Sequence, residues 1–185
     1  MSFDSQPTLI GTLVGLRPLR AEDYADLYAV AADPLIWAQH PVKNRHEEAI
    51  FREFFAEALA SGGALLVTDA ETRQVIGTSR FDGYSEQASE VEIGWTFLAR
   101  SHWGGSYNGE LKQLMLRHAF RFVDSVVFHI GPDNLRSRRA VEKIGGVLEP
   151  GRDAKGRVVY RITASAFASS GGRPAGNHEK AASVR

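Results

Sequence analysis

Residues Glu90 to Val123 read EVEIGWTFLARSHWGGSYNGELKQLMLRHAFRFV, and a change of period inside this stretch decides the fold. Val91, Ile93, Trp95 and Phe97 alternate with Glu90, Glu92, Gly94 and Thr96, the period of two of a half-buried strand with one apolar face. From Leu111 the period becomes 3.6, and Leu111, Leu114, Met115, Ala119 and Phe122 fall on one stripe of a helix. Between the two lies Trp103-Gly104-Gly105-Ser106-Tyr107-Asn108-Gly109. Its glycines permit positive φ and let a ligand approach the backbone closely. A helix that starts from such a turn leaves several N–H groups without partners, with the positive end of the helix dipole behind them. That place suits a phosphate. It equally suits the simpler purpose of making a turn. No Lys-Ser/Thr pair closes a Walker A loop and no G-x-G-x-x-G occurs, so neither nucleotide fingerprint applies.

Upstream, Thr12 to Pro18 reads as a strand, followed by a helix to about Ala32 that begins at Ala21-Glu22-Asp23. The segment Leu35 to Arg45 is irregular yet carries Trp37, His40 and Pro41. A second helix spans His46 to about Ala60, and Ala64–Thr68 with Gln74–Phe81 forms a hairpin. Downstream, Ser125–Ile130 is a short apolar run. Strand, helix and strand in succession imply a right-handed crossover and two neighbouring parallel strands. Gly131-Pro132-Asp133-Asn134 opens another helix, and two strands surround Arg152 to Gly156. The fold class is therefore α/β (α+β), a mixed sheet with helices. Residues 1–167 make a single domain, and 168–185, small and polar, make a flexible tail.

Composition excludes several functions. Of 185 residues 43% are hydrophobic, enough for one sizeable core. Lys plus Arg (22) balances Asp plus Glu (22), so no global field favours nucleic acid or an anionic membrane. There is no cysteine, which removes a thiol nucleophile, a thiolate metal site and disulfides together. No His/Asp/Glu cluster has metal-ligand spacing. MSFDSQPTLIG has neither a basic region nor an apolar run, and no apolar stretch reaches the ~20 residues of a membrane span. A cytoplasmic protein is the expectation.

EIGWTFLARSHWGGSYN with its helix, and GPDNLRSRRAVEKIGGV downstream, resemble the acetyl-CoA-binding motifs of the GNAT N-acetyltransferase superfamily. The likeness is greatest to the branch similar to ribosomal-protein alanine N-acetyltransferases (RimJ/RimL-like), and covers roughly Leu13 to Ala164. It implies a mostly antiparallel sheet with helices on both faces and two central strands splayed apart. It also implies transfer of acetyl from acetyl-CoA to a primary amine by direct attack in a ternary complex. The acceptor is a protein or peptide N-terminus, or a small-molecule amine, with homodimerisation left open. A catalytically silent acyl-CoA sensor or interaction module is the alternative.

The resemblance implies that backbone amides of Trp103, Gly104, Gly105, Ser106, Tyr107 and Asn108 hold the CoA pyrophosphate, and that pantetheine lies along Phe97 and Leu98. The general pattern has Gln or Arg at Trp103, Gly at Ser106, and Gly or Ala at Asn108; Ser106 keeps its N–H. Asn134 and Ser137 match an Asn-x-x-Ser helix start, with Asn134 bonding pantetheine and Ser137 near the thioester sulfur. An ordinary N-cap at Asp133 or Asn134 is the simpler reading. The tyrosine that many relatives use to protonate the thiolate is replaced by Val141, which leaves Ser137, or water held by it, as substitute. Glu92 is the candidate base, Glu90 the second, although either carboxylate could instead pair with an arginine such as Arg80. A backbone N–H near Phe97 would polarise the carbonyl oxygen. Trp37 and His40 are candidate acceptor contacts. His118 reads as a hydrogen-bonded core histidine. WAQHPVKNRH carries Lys43 and Arg45 and no acid before Glu47, which favours neutral or anionic acceptors over polycations.

Overall fold

The computed structural model describes residues 2–151 and 156–171. One eight-stranded sheet joins β1 (Leu9–Ile10), β2 (Val14–Pro18), β3 (Ala64–Asp69), β4 (Val75–Ser85), β5 (Glu90–Leu98), β6 (Ser125–Ile130), β7 (Val147–Leu148) and β8 (Val158–Thr163). Their spatial order is β1-β2-β3-β4-β5-β6-β8-β7. The β5–β6 pair is parallel and the other neighbours are antiparallel. The helices are α1 (Tyr24–Ala31), α2 (Glu48–Ala60), α3 (Tyr107–Ala119), α4 (Leu135–Lys143) and α5 (Ala164–Ser169). No helix among the described residues is long and apolar enough to cross a membrane.

The alternation of β3 divides the interior. Leu65 and Val67 join a core with Leu111, Met115 and Leu116 of α3 and Val141 of α4. Ala64 and Leu66 join a second core with Leu27 of α1 and Phe51, Phe54 and Phe55 of α2. Each face of the sheet is thus covered by its own pair of helices, as a strand buried on both sides demands.

The central strand departs from the simple alternation read in the sequence. Val91 and Ile93 belong to the α3 core, whereas Phe97, four residues past Ile93, belongs to the α1/α2 core. Strict alternation would keep Ile93 and Phe97 together. The register against β4 slips between Thr78↔Phe97 and Arg80↔Gly94, and Trp95 adopts φ 51. One extra residue here makes a β-bulge, which flips every later side chain to the opposite face.

The parallel ladder between β5 and β6 is short, with Glu90↔Ser125, Val91↔Val126 and Glu92↔Val127 as its pairs. Beyond Glu92 that edge of β5 has no strand beside it among the described residues, so the two strands part where the bulge lies. Other departures from the expected elements are small. β4 runs on to Ser85, past the expected end at Phe81. Helix α3 already includes Tyr107, Asn108 and Gly109. Helix α5 continues past Phe167 through Ala168 and Ser169, so the expected tail does not begin at 168. Its remainder from 172 to 185, and residues 152–155 of the expected terminal turn, lie outside the described residues.

Candidate active site

The glycine-rich loop opens α3 without a side-chain cap: Ser106 is the N-cap residue and makes no capping hydrogen bond. Trp103 N–H donates to Arg100 O at 3.1 Å, so one of the six expected amides is already committed. Those of Gly104, Gly105, Ser106, Tyr107 and Asn108 have no acceptor among the described residues. Gly104 sits at φ 74, the one position of the loop that requires glycine. The Trp103 indole N–H donates to Leu98 O at 2.9 Å and fastens the loop to the end of β5. Five outward N–H groups at a helix start, exposed over Gly104–Ser106, form an anion cradle.

On the α1/α2 face, Glu92 lies beside the gap in the ladder. Its partner is His129 of β6, whose Nδ1 is 2.8 Å from Glu92 Oε2; Arg80 instead has Asp82 at 3.7 Å. Burial pushes the Glu92 carboxyl above the usual carboxylate range, against the opposing pull of His129. Gly94 leaves room for the carboxylate: Glu92 Oε1 is 3.1 Å from where a Cβ on Gly94 would stand. Glu90, the second candidate base, is held by Arg161 at 2.6 Å. Glu92, paired with His129, is the one of the two carboxylates that borders the end of the parallel ladder. His129 escaped the sequence reading because only the parallel register, Glu92↔Val127, brings it one pleat from Glu92.

At the start of α4, Asn134 is 7% exposed and its Oδ1 accepts from Ser137 N–H at 3.2 Å. The N-cap role is thus realised, and the side-chain NH2 has no acceptor among the described residues. Ser137 is half-buried one turn along. Val141, at the place where relatives carry tyrosine, is core. Tyr160 is committed elsewhere, donating to Glu142 at 2.6 Å and accepting from Arg138 at 3.0 Å. Arg136 links three parts of the site: it lies 3.9 Å over the Trp103 ring, donates to Ile36 O at 2.9 Å, and its backbone N–H meets Gln39.

Phe97 and Leu98 are both buried, their side chains in different cores, so a chain lying along them would use their backbone edge. Trp37 is 2% exposed, its indole N–H on Ala31 O at 2.7 Å and its ring 4.9 Å from Phe97. It builds the wall behind the site. His40 is half-buried, with Nδ1 2.9 Å from Val42 N and Nε2 3.3 Å from Arg45. Burial and the Arg45 charge hold it down to about 4, so it is neutral at pH 7. Arg45 itself lies over Trp37 and Phe54, and burial lowers it to about 10.

Lys112 was also invisible to pattern reading, since a lysine in an amphipathic helix normally marks its solvent side. Here it is 5% exposed and donates to Thr96 at 2.5 Å and Ser79 at 3.5 Å. It supports the bulge from the α3 side. Burial alone brings its pKa down to about 7. His118, as expected, is a core histidine, 2.6 Å from Asp4 O.

The pattern described as an acetyltransferase (GNAT) domain matches residues 14–147. No curated protein matches the chain by sequence. Among solved structures it is similar to a GCN5-related N-acetyltransferase from Brucella melitensis, with TM-score 0.74, 19% identity, and 88% of this chain and 81% of that one covered. An acetyltransferase from Agrobacterium tumefaciens has TM-score 0.69 and 27% identity, covering 84% and 94%. RimJ from Mycobacterium smegmatis, solved with CoA-disulfide, has TM-score 0.68 and 18% identity, covering 92% and 98%.

Proposed function

The chain belongs to the GNAT acetyltransferases and is an acetyl-CoA-dependent enzyme, and from that premise we propose that it acetylates a primary amine by direct attack in a ternary complex. The observation that carries this reading is the row of five unpartnered amides from Gly104 to Asn108 set beside the open edge of β5. The residues present suit the cosubstrate. The diphosphate sits on the loop amides, pantetheine follows the free β5 edge at Phe97 and Leu98, and the Asn134 NH2 meets its amides. A backbone N–H at the bulge near Phe97 polarises the thioester carbonyl.

Glu92, directly or through water, takes the proton from the amine, and Ser137 or water on it delivers one to the leaving thiolate. An α-amine of pKa ~8 costs only about 1 kcal/mol to deprotonate at pH 7, against roughly 4–5 for a lysine-like amine. A modest base therefore serves N-terminal amines, and likeness to the RimJ/RimL branch supports a protein or peptide N-terminus as acceptor. Small-molecule amines are the second choice.

Val141 in the tyrosine's place supports the rival reading, a silent acyl-CoA sensor. Thiol release from acetyl-CoA with a panel of peptide and metabolite amines, beside calorimetric titration with CoA, separates the two. Turnover of any amine confirms the enzyme; tight CoA binding with no turnover identifies the sensor; no CoA binding refutes both.

A further inference from the structure

The α1/α2 face of the sheet around Glu92 holds more cationic groups than its carboxylates answer. Arg80 is the clearest. Its side chain is 6% exposed, and its Nε and Nη2 are buried with no hydrogen-bond partner among the described residues. Its nearest carboxylate, Asp82, stands 3.7 Å from Nη1 on the other side of the guanidinium. Arg45 is a second guanidinium, half-buried, whose Nε has no partner among the described residues, and it lies over the rings of Trp37 and Phe54. Arg45 feels the charges of Arg80 and Arg157, and Glu57, exposed on α2, answers Arg45 and Arg80 only through space, as Glu92 answers Arg80. A buried guanidinium without hydrogen bonds is costly unless something completes it.

The geometry of the missing partner is specific. Nε and Nη2 form the side-on fork of an arginine, two parallel donors that match the two oxygens of a carboxylate. Arg80 pairs in register with Gly94, and Asp82 with Glu92, so Arg80 and Glu92 are diagonal neighbours on one face, about 7 Å apart by ordinary sheet spacing. Gly94, lacking a side chain, leaves the space between them to Glu92 alone. The half-exposed Trp95 ring, 4.4 Å over the guanidinium, is part of the cover on the fork.

We propose that the acceptor is an amine that also bears a carboxylate, received side-on by Nε and Nη2 of Arg80 while its amine faces Glu92. This rests on the acetyltransferase reading and narrows its substrate class. The carboxylate displaces the Trp95 cover and supplies both missing acceptors, with Arg45 adding charge at the rim. Two sources offer such chemistry, a free amino acid and a peptide N-terminus followed by an acidic residue.

The test is thiol release from acetyl-CoA with two matched pairs: alanine against alaninamide, and the dipeptide amides Ala-Glu against Ala-Gln. The carboxylate member of at least one pair is expected to have a kcat/KM about ten- to a hundredfold higher, the worth of a hydrogen-bonded charge. In Arg80→Met that ratio is expected to fall to about one. Arg45→Met, expected to lower the ratio in part, serves the same comparison should Arg80→Met fail to fold. Equal turnover within both pairs, or a ratio that survives the arginine substitution, overturns the proposal. Absence of thiol release with every amine overturns the acetyltransferase reading instead. The proposal is then decided by thermal unfolding with the same compounds. It holds where a carboxylate member raises the midpoint of the wild type but not of the variant, and fails otherwise.

Discussion

Replacing Lys112 by Met tests how the sheet is supported beneath the bulge. Lys112 reaches from α3 to Thr96 and Ser79, with no carboxylate among its partners. Its pKa falls from 10.5 to about 7 through burial. In the unfolded chain it returns to 10.5, so between pH 7 and 10.5 the unfolded state holds a proton that the folded state has released. Stability therefore rises with pH through that window, and the charge penalty is full at pH 7 and below. At 1.36 kcal/mol per unit the penalty at pH 7 is roughly 4–5 kcal/mol. Methionine keeps the length without the charge, and loses two hydrogen bonds worth about 1 kcal/mol each. Ser79 and Thr96 remain 2.8 Å apart and satisfy one another. The variant should thus be about 2–3 kcal/mol more stable at pH 7 and about 2 kcal/mol less stable near pH 10.5. Urea unfolding of both proteins at pH 7, 8, 9 and 10 measures the difference, in which all other titrating groups cancel. A difference that stays constant across this range would refute a buried, neutralised lysine.

Glu92→Gln should lower kcat/KM for an α-amine acceptor about tenfold at pH 7, because only the free-amine fraction then reacts, and the deficit should vanish above pH ~9; a loss independent of pH would remove Glu92 as the base. In Gly105→Ala the new Cβ meets only Tyr107 Cδ2 at 4.0 Å, so stability should change by less than about 1 kcal/mol, while CoA affinity by calorimetry should fall roughly tenfold or more as the methyl crowds the diphosphate. Asn134→Asp keeps the oxygen that caps α4 and deletes the NH2; the unfolding midpoint should hold and CoA affinity fall, whereas Asn134→Ala should also cost about 1 kcal/mol of stability. Equal CoA affinity in wild type and Asn134→Asp would confine Asn134 to capping.

The elements whose period announces them were readable: β5 up to Ile93, α3, β6 and the parallel pairing all follow from apolar spacing and chain order. The loop was readable too, because glycine before a helix has a local physical consequence. What the residues alone concealed depends on register. Trp95 looks like the next residue of an alternating strand, and nothing local says that a bulge there sends Phe97 to the other core. His129 and Glu92 are 37 positions apart along the chain, and meet only through the parallel pairing of their strands. In the sequence Arg80 reads as a cross-strand partner for a glutamate, a common role for such a residue. Only the structure shows that its Nε and Nη2 lack an acceptor among the described residues.

The bulge also explains why three features of the site coincide. With strict alternation, Glu92 and Phe97 would point to opposite faces, since they lie an odd number of positions apart along the chain. The extra residue at Trp95 puts the carboxylate and the aromatic wall on the same side. The increased twist that accompanies a bulge turns β5 away from β6 just past Glu92↔Val127, and so exposes backbone donors beside that carboxylate. It also swings Trp95 over Arg80. A strained tryptophan, at φ 51, is thus the joint between the edge of β5 that leaves β6 and the face that carries Glu92 and Arg80. Backbone strain of this kind costs on the order of 1–3 kcal/mol. It persists here because the surroundings fix it from both sides: Lys112 grips Thr96 from beneath, and Phe97 is locked among Trp37, Phe51 and Phe54 above.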